Sequence, residues 1–131
     1  MPAAPPDWLP GMFALGMGAI IGSFLNAVIY RMPRGISIGN PRRSFCPSCS
    51  HSLPWFCNIP VLSWLVLRGR CKFCDAPISP RYPLVEALTA LILWGLWETH
   101  GLPLAPVYFL FAALLIAATF IDIDFLIIPD E

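Results

Sequence analysis

The sequence predicts an all-α integral membrane protein: about three transmembrane helices, with a long cysteine-bearing loop between the first and the second. Three observations carry that expectation. Hydrophobic residues make up 57% of the 131 positions and charged residues 12%, where an ordinary soluble domain has about 25% charged. Two uncharged runs are long enough to cross a bilayer. All eight basic residues (Arg31, Arg34, Arg42, Arg43, Arg68, Arg70, Lys72 and Arg81) fall in the stretch that separates the first run from the second apolar segment.

Residues 1–8 precede the first run and are expected on the outer, periplasmic side. Leu9 to Tyr30 contains no charge, and its 22 residues reach roughly 33 Å as a helix, against a hydrocarbon core of about 30 Å. A removable signal peptide would carry its positive charge ahead of the apolar run. Here Asp7 is the sole charged side chain ahead of it, and Arg31 and Arg34 follow, the pattern of a retained helix. The positive-inside rule then places residues 31–82 in the cytosol. A second span is expected over 83–98, mostly apolar but with Glu86 and Glu98 near its ends. Thr99-His100-Gly101 turns the chain, and Pro103 and Pro106 open a third helix, expected over 103–128. That helix runs back inward and delivers Asp122 and Asp124 near the cytosolic face. The bilayer is the partner this composition implies, and no nucleic-acid partner is expected.

Within the loop, Cys46-Pro-Ser-Cys49 and Cys71-Lys-Phe-Cys74 are separated by 21 residues. Two residues between cysteines let one turn present two thiolates to a single ion, and two such turns complete a tetrahedral sulfur site. Cys46, Cys49, Cys71 and Cys74 are therefore the expected ligands of a structural zinc, which would staple a loop too small to build a core. Disulfides are the alternative, but they suit an oxidising compartment rather than a cytosolic loop. A thioredoxin-like redox role needs an alternating strand and helix pattern that is absent. His51 could replace one cysteine as ligand, and Cys57 reads as a bystander.

Carboxylates at the end of a long apolar helix are costly unless they have a task or a partner. Asp122 and Asp124 are two apart and so point about 200° apart on a helix. One could face the bundle while the other reaches water, or both could be interfacial stop residues. Gly18, Gly22 and Asn26 share one face of the first helix, which fits close packing with an Asn bridge to a neighbour. Glu86 could pair with Arg81 or another loop arginine or serve an active site, and the ion pair is the expectation. Trp8, Tyr30, Tyr82, Trp97 and Tyr108 fall mostly near helix ends, as interface anchors do.

Several of these segments, in this order, resemble one known family. Gly22-Ser-Phe-Leu-Asn-Ala-Val-Ile-Tyr-Arg-Met-Pro33 resembles the opening signature of bacterial type IV prepilin peptidases. The cysteine pairs bracket Asn58-Ile-Pro-Val-Leu-Ser-Trp64 and Leu67-Arg-Gly-Arg-Cys71, and Ile78-Ser-Pro-Arg-Tyr-Pro-Leu-Val-Glu-Ala-Leu-Thr89 continues the match. Asp122-Ile-Asp-Phe-Leu-Ile-Ile-Pro-Asp130 resembles the family's first catalytic aspartate motif. The resemblance implies an inner-membrane aspartic protease of the Gly-x-Gly-Asp type that removes the basic leader from type IV prepilins and pseudopilins on the cytosolic side. Many members then methylate the new N-terminus with S-adenosylmethionine. It also implies that Asp122 is one of two catalytic aspartates, that Asp124 sits at a variable position, and that the cysteine loop belongs to the methylation half. Phe56-Cys57 departs from the family's frequent aromatic–acidic pair. The second aspartate, in its Gly-x-Gly-Asp context, is not among these 131 residues, so the chain alone is expected to lack protease activity. A different class remains open: a non-catalytic, zinc-bearing membrane module that binds a pilus or secretion component.

Overall fold

A computed structural model describes residues 6–40 and 42–127. Among them the chain forms α1 (Trp8–Arg31), a 3-10 turn (Trp55–Asn58), a short α2 (Leu62–Val66), α3 (Arg81–His100) and α4 (Leu104–Ile127). The described residues form no strand beyond two isolated antiparallel bridges, Phe45 with Ser52 and Arg70 with Pro77. The architecture is the all-α one that the sequence predicts. Positions 1–5 of the expected outer segment, and position 128, the expected end of the third helix, lie outside the described residues, as do Pro129 and Asp130 of the aspartate motif.

The long helices turn their small residues inward and their large ones outward. On α1 the buried side includes Gly11, Ala14, Gly18 and Gly22, whereas Phe13 is 68% exposed; on α4, Phe111 and Leu114 are 66% and 62% exposed. So much apolar surface is unusual on a water-soluble monomer and suits helices whose outer faces meet lipid. Among the described residues, α1 and the Leu104–Asp124 stretch of α4 are long and apolar enough to cross a membrane. α3 is not in that group. It is 20 residues long but carries Arg81, Glu86 and Glu98.

α1 and α3 form the most extensive helix pair, and glycine is the reason they can. A Cβ at Gly22 would collide with Thr89 Oγ1 and stand 2.7 Å from Glu86 Cα, and one at Gly18 would stand 2.6 Å from Ala90 Cα. The expected small-residue face is therefore a backbone-to-backbone contact. Thr89 is fully buried there and satisfies its hydroxyl locally, donating to Val85 O at 2.9 Å. Asn26 supplies the expected bridge, donating from Nδ2 to Tyr82 O at 2.9 Å. α4 closes the bundle. Its Ala113, Ile116 and Ala117 pack on Leu25 and Ile29 of α1 and Val85 of α3.

Arg31 ends α1 and has a second task. Its guanidinium donates to Ser37 O and Ile38 O, each at 3.1 Å, and to Arg43 O at 3.0 Å. The cation also lies over the Phe45 ring, 5.5 Å from its centroid. A basic residue in a last helical turn is favoured by the helix dipole. Here it also spools the start of the loop against the bundle and leads the chain into the first cysteine turn.

Candidate metal centre and polar cavity

Both Cys-x2-Cys turns follow one backbone plan. Cys46 N–H donates to His51 O at 3.1 Å and Ser50 N–H to Cys46 O at 2.8 Å. In the second turn, Cys71 N–H donates to Ala76 O at 2.9 Å and Asp75 N–H to Cys71 O at 3.1 Å. The residue after each second cysteine takes a positive φ, +59° at Ser50 and +58° at Asp75, a region that short polar side chains tolerate better than branched ones. The plan aims both thiols of a turn the same way, and the two turns face each other.

The four sulfurs of Cys46, Cys49, Cys71 and Cys74 lie within 4.8 Å of one another. Cys46 and Cys74 are 3.6 Å apart, and Cys49 and Cys71 are 4.0 Å apart. Four thiolates about 2.3 Å from a tetrahedral zinc stand ~3.8 Å from each other, whereas a disulfide would hold two sulfurs at about 2.05 Å. All five cysteines are free. The spacing thus fits an ion and not a cross-link. His51 is outside the cluster and stacks on Phe73, ring centroids 5.0 Å apart. Cys57 is also outside it, half-buried in the wall of the neighbouring cavity.

The thiols do not ionise alike. Burial opposes the Cys46 thiolate, but the N–H groups of Cys49 and Ser48 and the neighbouring thiols outweigh it and bring Cys46 down to about 7. At Cys74 the Ala76 N–H favours the thiolate. Desolvation and the three neighbouring sulfurs prevail, and the thiol is pushed up to about 12. Negative charge cannot accumulate on four adjacent sulfurs without a cation among them. An ion bound there must displace the protons that the cluster still holds.

Beside this cluster, at the end of the bundle, is a cavity of about 460 Å³. Its walls include Tyr30, Trp64 and Tyr82, with Asn26, Glu86 and Asp124 among the polar groups. Arg81, at the start of α3, donates to the Asp124 carboxylate near the end of α4, and both side chains are largely buried. That ion pair ties the aspartate end of α4 to the cavity. Asp122 is exposed and does not line it. Of the two aspartates, then, Asp124 faces the bundle and Asp122 faces away, as the 200° separation requires.

Glu86 corrects the expectation of an arginine partner. Its carboxylate instead accepts the Val61 N–H at 2.7 Å, because Arg81 is turned toward Asp124. Val61 has φ +61° and ψ −51°, and Leu62 N–H donates to Pro60 O at 2.6 Å. Together these make a strained three-residue turn, unusual for a β-branched residue, held to the helix pair by a buried carboxylate. Neither the Arg81–Asp124 pair nor this clamp has a signal in local spacing. The isolated charges Glu86 and Arg81 in apolar surroundings were the only hint that each needed a partner.

Residues 17–99 match the profile of the family described as the Bacterial Peptidase A24 N-terminal domain. The chain is 48% identical over 120 residues to a prepilin leader peptidase/N-methyltransferase of Myxococcus xanthus, covering 90% of this chain and 35% of the relative. It is 44% identical over 146 residues to a type 4 prepilin-like proteins leader peptide-processing enzyme of Escherichia coli, with 95% and 53% covered. A prepilin leader peptidase/N-methyltransferase of Aeromonas hydrophila is 42% identical over 152 residues, with 95% and 51% covered. The chain spans between about a third and half of the length of these relatives. No solved structure matches it.

Proposed function

The chain belongs to the bacterial peptidase A24 N-terminal domain family, and from that premise we propose that it is the N-terminal part of a prepilin leader peptidase. Its substrates in this reading are type IV prepilins and pseudopilins, cut at the junction of a basic leader and an apolar stem. The observation that carries the reading is convergence. The four-thiol loop, the polar cavity and the aspartate-bearing end of α4 all gather at the same end of the helix bundle.

The enzyme sits in the bacterial inner membrane, with residues 31–82 on the cytosolic side, where the concentration of arginine and lysine supports that orientation. A substrate's apolar stem lies in the bilayer beside α4 while its leader stays in the cytosol. Asp122 supplies one carboxylate of an aspartic pair that shares a proton. In such a pair the ionised member activates water and the protonated member donates to the departing amine. The exposure of Asp122 suits a carboxylate that meets both substrate and a second carboxylate, which the family carries in Gly-x-Gly-Asp. Asp124, neutralised by Arg81, positions the helix end instead.

Zinc held by Cys46, Cys49, Cys71 and Cys74 is structural. It offsets half the charge of the four thiolates and fixes the loop beside the cavity. For the methylation half, S-adenosylmethionine supplies the methyl group. A cavity of about 460 Å³ is within the usual range for a small-molecule site. Tyr30, Trp64 and Tyr82 offer aromatic faces to a purine, and Asn26 and Glu86 offer oxygens to hydroxyl groups.

Expression of the natural gene product in a host lacking its own prepilin peptidase tests the reading. Leader removal from a co-expressed prepilin, seen as a mobility shift and by N-terminal mass, is expected. Uncut prepilin beside well-folded, membrane-inserted protein would leave a non-catalytic zinc module as the better description.

A further inference from the structure

The loop between the two cysteine turns carries an apolar surface that the reading above does not use. Trp55, Phe56, Ile59, Leu62, Leu65 and Val66 are all exposed, Trp55 by 77% and Val66 by 80%. They lie within twelve consecutive residues that contain no charge. A loop standing in water has no reason to present such a face.

Its depth explains it. Glu86 Cα lies against Gly22, and the Val61 N–H is bonded to the Glu86 carboxylate. Pro60 shares with Ile20, Ser23 and Phe24 of α1 a small cleft that Arg31 and Arg42 also line. Ser23 is eight residues before Arg31, so this part of α1 is roughly 12 Å along the helix from its basic end. If Arg31 and Arg34 mark the headgroup level, the Pro60–Leu62 turn is below it, beside the outward-facing Ile20 and Phe24. The apolar face of the loop thereby continues the lipid-facing surface of α1. Irregular backbone at that depth must have its polar groups satisfied by protein, and the Glu86 carboxylate does this for Val61. Basic residues border the face. Arg68 follows α2 and is exposed, and Lys72 Nζ sits over the Phe56 ring, 4.5 Å from its centroid. Apolar side chains below and cations above match an anionic lipid surface.

We propose that Trp55–Val66 is a re-entrant wedge that dips into the cytosolic leaflet, with Arg68 and Lys72 at the phosphate level of anionic lipids. The wedge would anchor the cysteine loop to the bilayer beside the point where Pro60 and Val61 hold it to α1 and α3. This inference rests on the membrane reading above.

The test is lipid photo-crosslinking of the natural gene product in phosphatidylglycerol-containing liposomes. A benzophenone side chain is placed at one exposed position at a time: at Val66, at Leu114 on the outward face of α4, and at Ser48 in the first cysteine turn. Zinc content checks that each variant is folded. Adduct yield at Val66 is expected within about twofold of Leu114 and about tenfold above Ser48, as for a face seated in the acyl boundary. Adducts at Leu114 with none above the Ser48 level at Val66 would overturn the wedge and leave the membrane reading intact. No adducts at either Leu114 or Val66 would overturn both.

Discussion

The helix bundle and the cysteine loop are built by opposite means. The bundle has ample apolar side chains but turns the largest of them outward. It holds together where side chains are smallest, at Gly18 and Gly22 against Thr89, Ala90 and Glu86. The loop has almost no buried apolar residue beyond Cys46 and Cys71, and its shape comes from two hydrogen-bonded turns that converge on four sulfurs. In a bilayer, burying apolar surface between helices gives no hydrophobic gain, so close approach decides. In water, a segment this small has no core to rely on, so an ion must decide. One chain therefore contains two units with separate sensitivities, linked through Arg31 and Glu86.

The largest effect that would separate the two units is removal of the ion. Structural zinc in small domains contributes on the order of 10 kcal/mol of apparent folding free energy. A Cys46→Ser/Cys74→Ser variant is expected to lose its metal, about one zinc per chain in the wild type, and to become protease-sensitive between residues 42 and 80. The helical circular dichroism of the bundle should be nearly unchanged. A folded, protease-resistant loop without metal would mean that the loop does not depend on an ion for its shape.

Gly22→Val is expected to do the reverse. The new side chain meets Thr89 Oγ1 and the Glu86 backbone, and overpacking of this kind costs about 3 kcal/mol. The measurement is the thermal midpoint in detergent, with zinc content as the internal control. Gly16→Ala, where nothing stands within 4 Å of the added Cβ, should leave the midpoint unchanged. Within the bundle, Arg81→Ala leaves Asp124 on α4 without its cation in a largely buried setting. A loss of about 2 kcal/mol is expected, partly restored by adding Asp124→Asn. If the single and double variants melt together, the pair does not link α3 to α4.

A further predicted effect is a pH dependence confined to the loop. Cys46 ionises at about 7, below its usual range, and Cys74 at about 12, above it. Zinc needs both as thiolates, so binding must tighten as pH rises and weaken as pH falls through about 7, where Cys46 takes up its proton. Competition with a chromophoric chelator between pH 6 and 8 measures this. A flat profile would mean that the thiols are not the ligands.

What could be read from the sequence divides along the same line. Contacts encoded by short spacing were legible: the Cys-x2-Cys pairs, the Gly18–Gly22–Asn26 face, and the opposite directions of Asp122 and Asp124. Contacts made by chain return were not. Glu86 was expected to meet a charge and meets the backbone of Val61 instead, because the loop folds back between the helix ends. Nothing at positions 60–62 announces that turn, since a valine with positive φ is what local propensity disfavours. Arg81 and Asp124 are each visible as charges at helix ends, but their pairing depends on how α4 returns along α3. The apolar run at 55–66 was visible as composition, and its exposure was not.

The two aspartates of α4 have opposite expected roles, Asp122 in catalysis and Asp124 in the pair with Arg81. Leader cleavage by the natural gene product, measured for Asp122→Asn and Asp124→Asn side by side, tests it. Asp122→Asn should lower the cleavage rate by about 10⁴-fold or more, as loss of a catalytic group does. Asp124→Asn should retain activity while lowering stability through the loss of its pair with Arg81. Cleavage unchanged in Asp122→Asn, or abolished only in a folded Asp124→Asn protein, would contradict the assignment of the catalytic carboxylate to the exposed face of the helix.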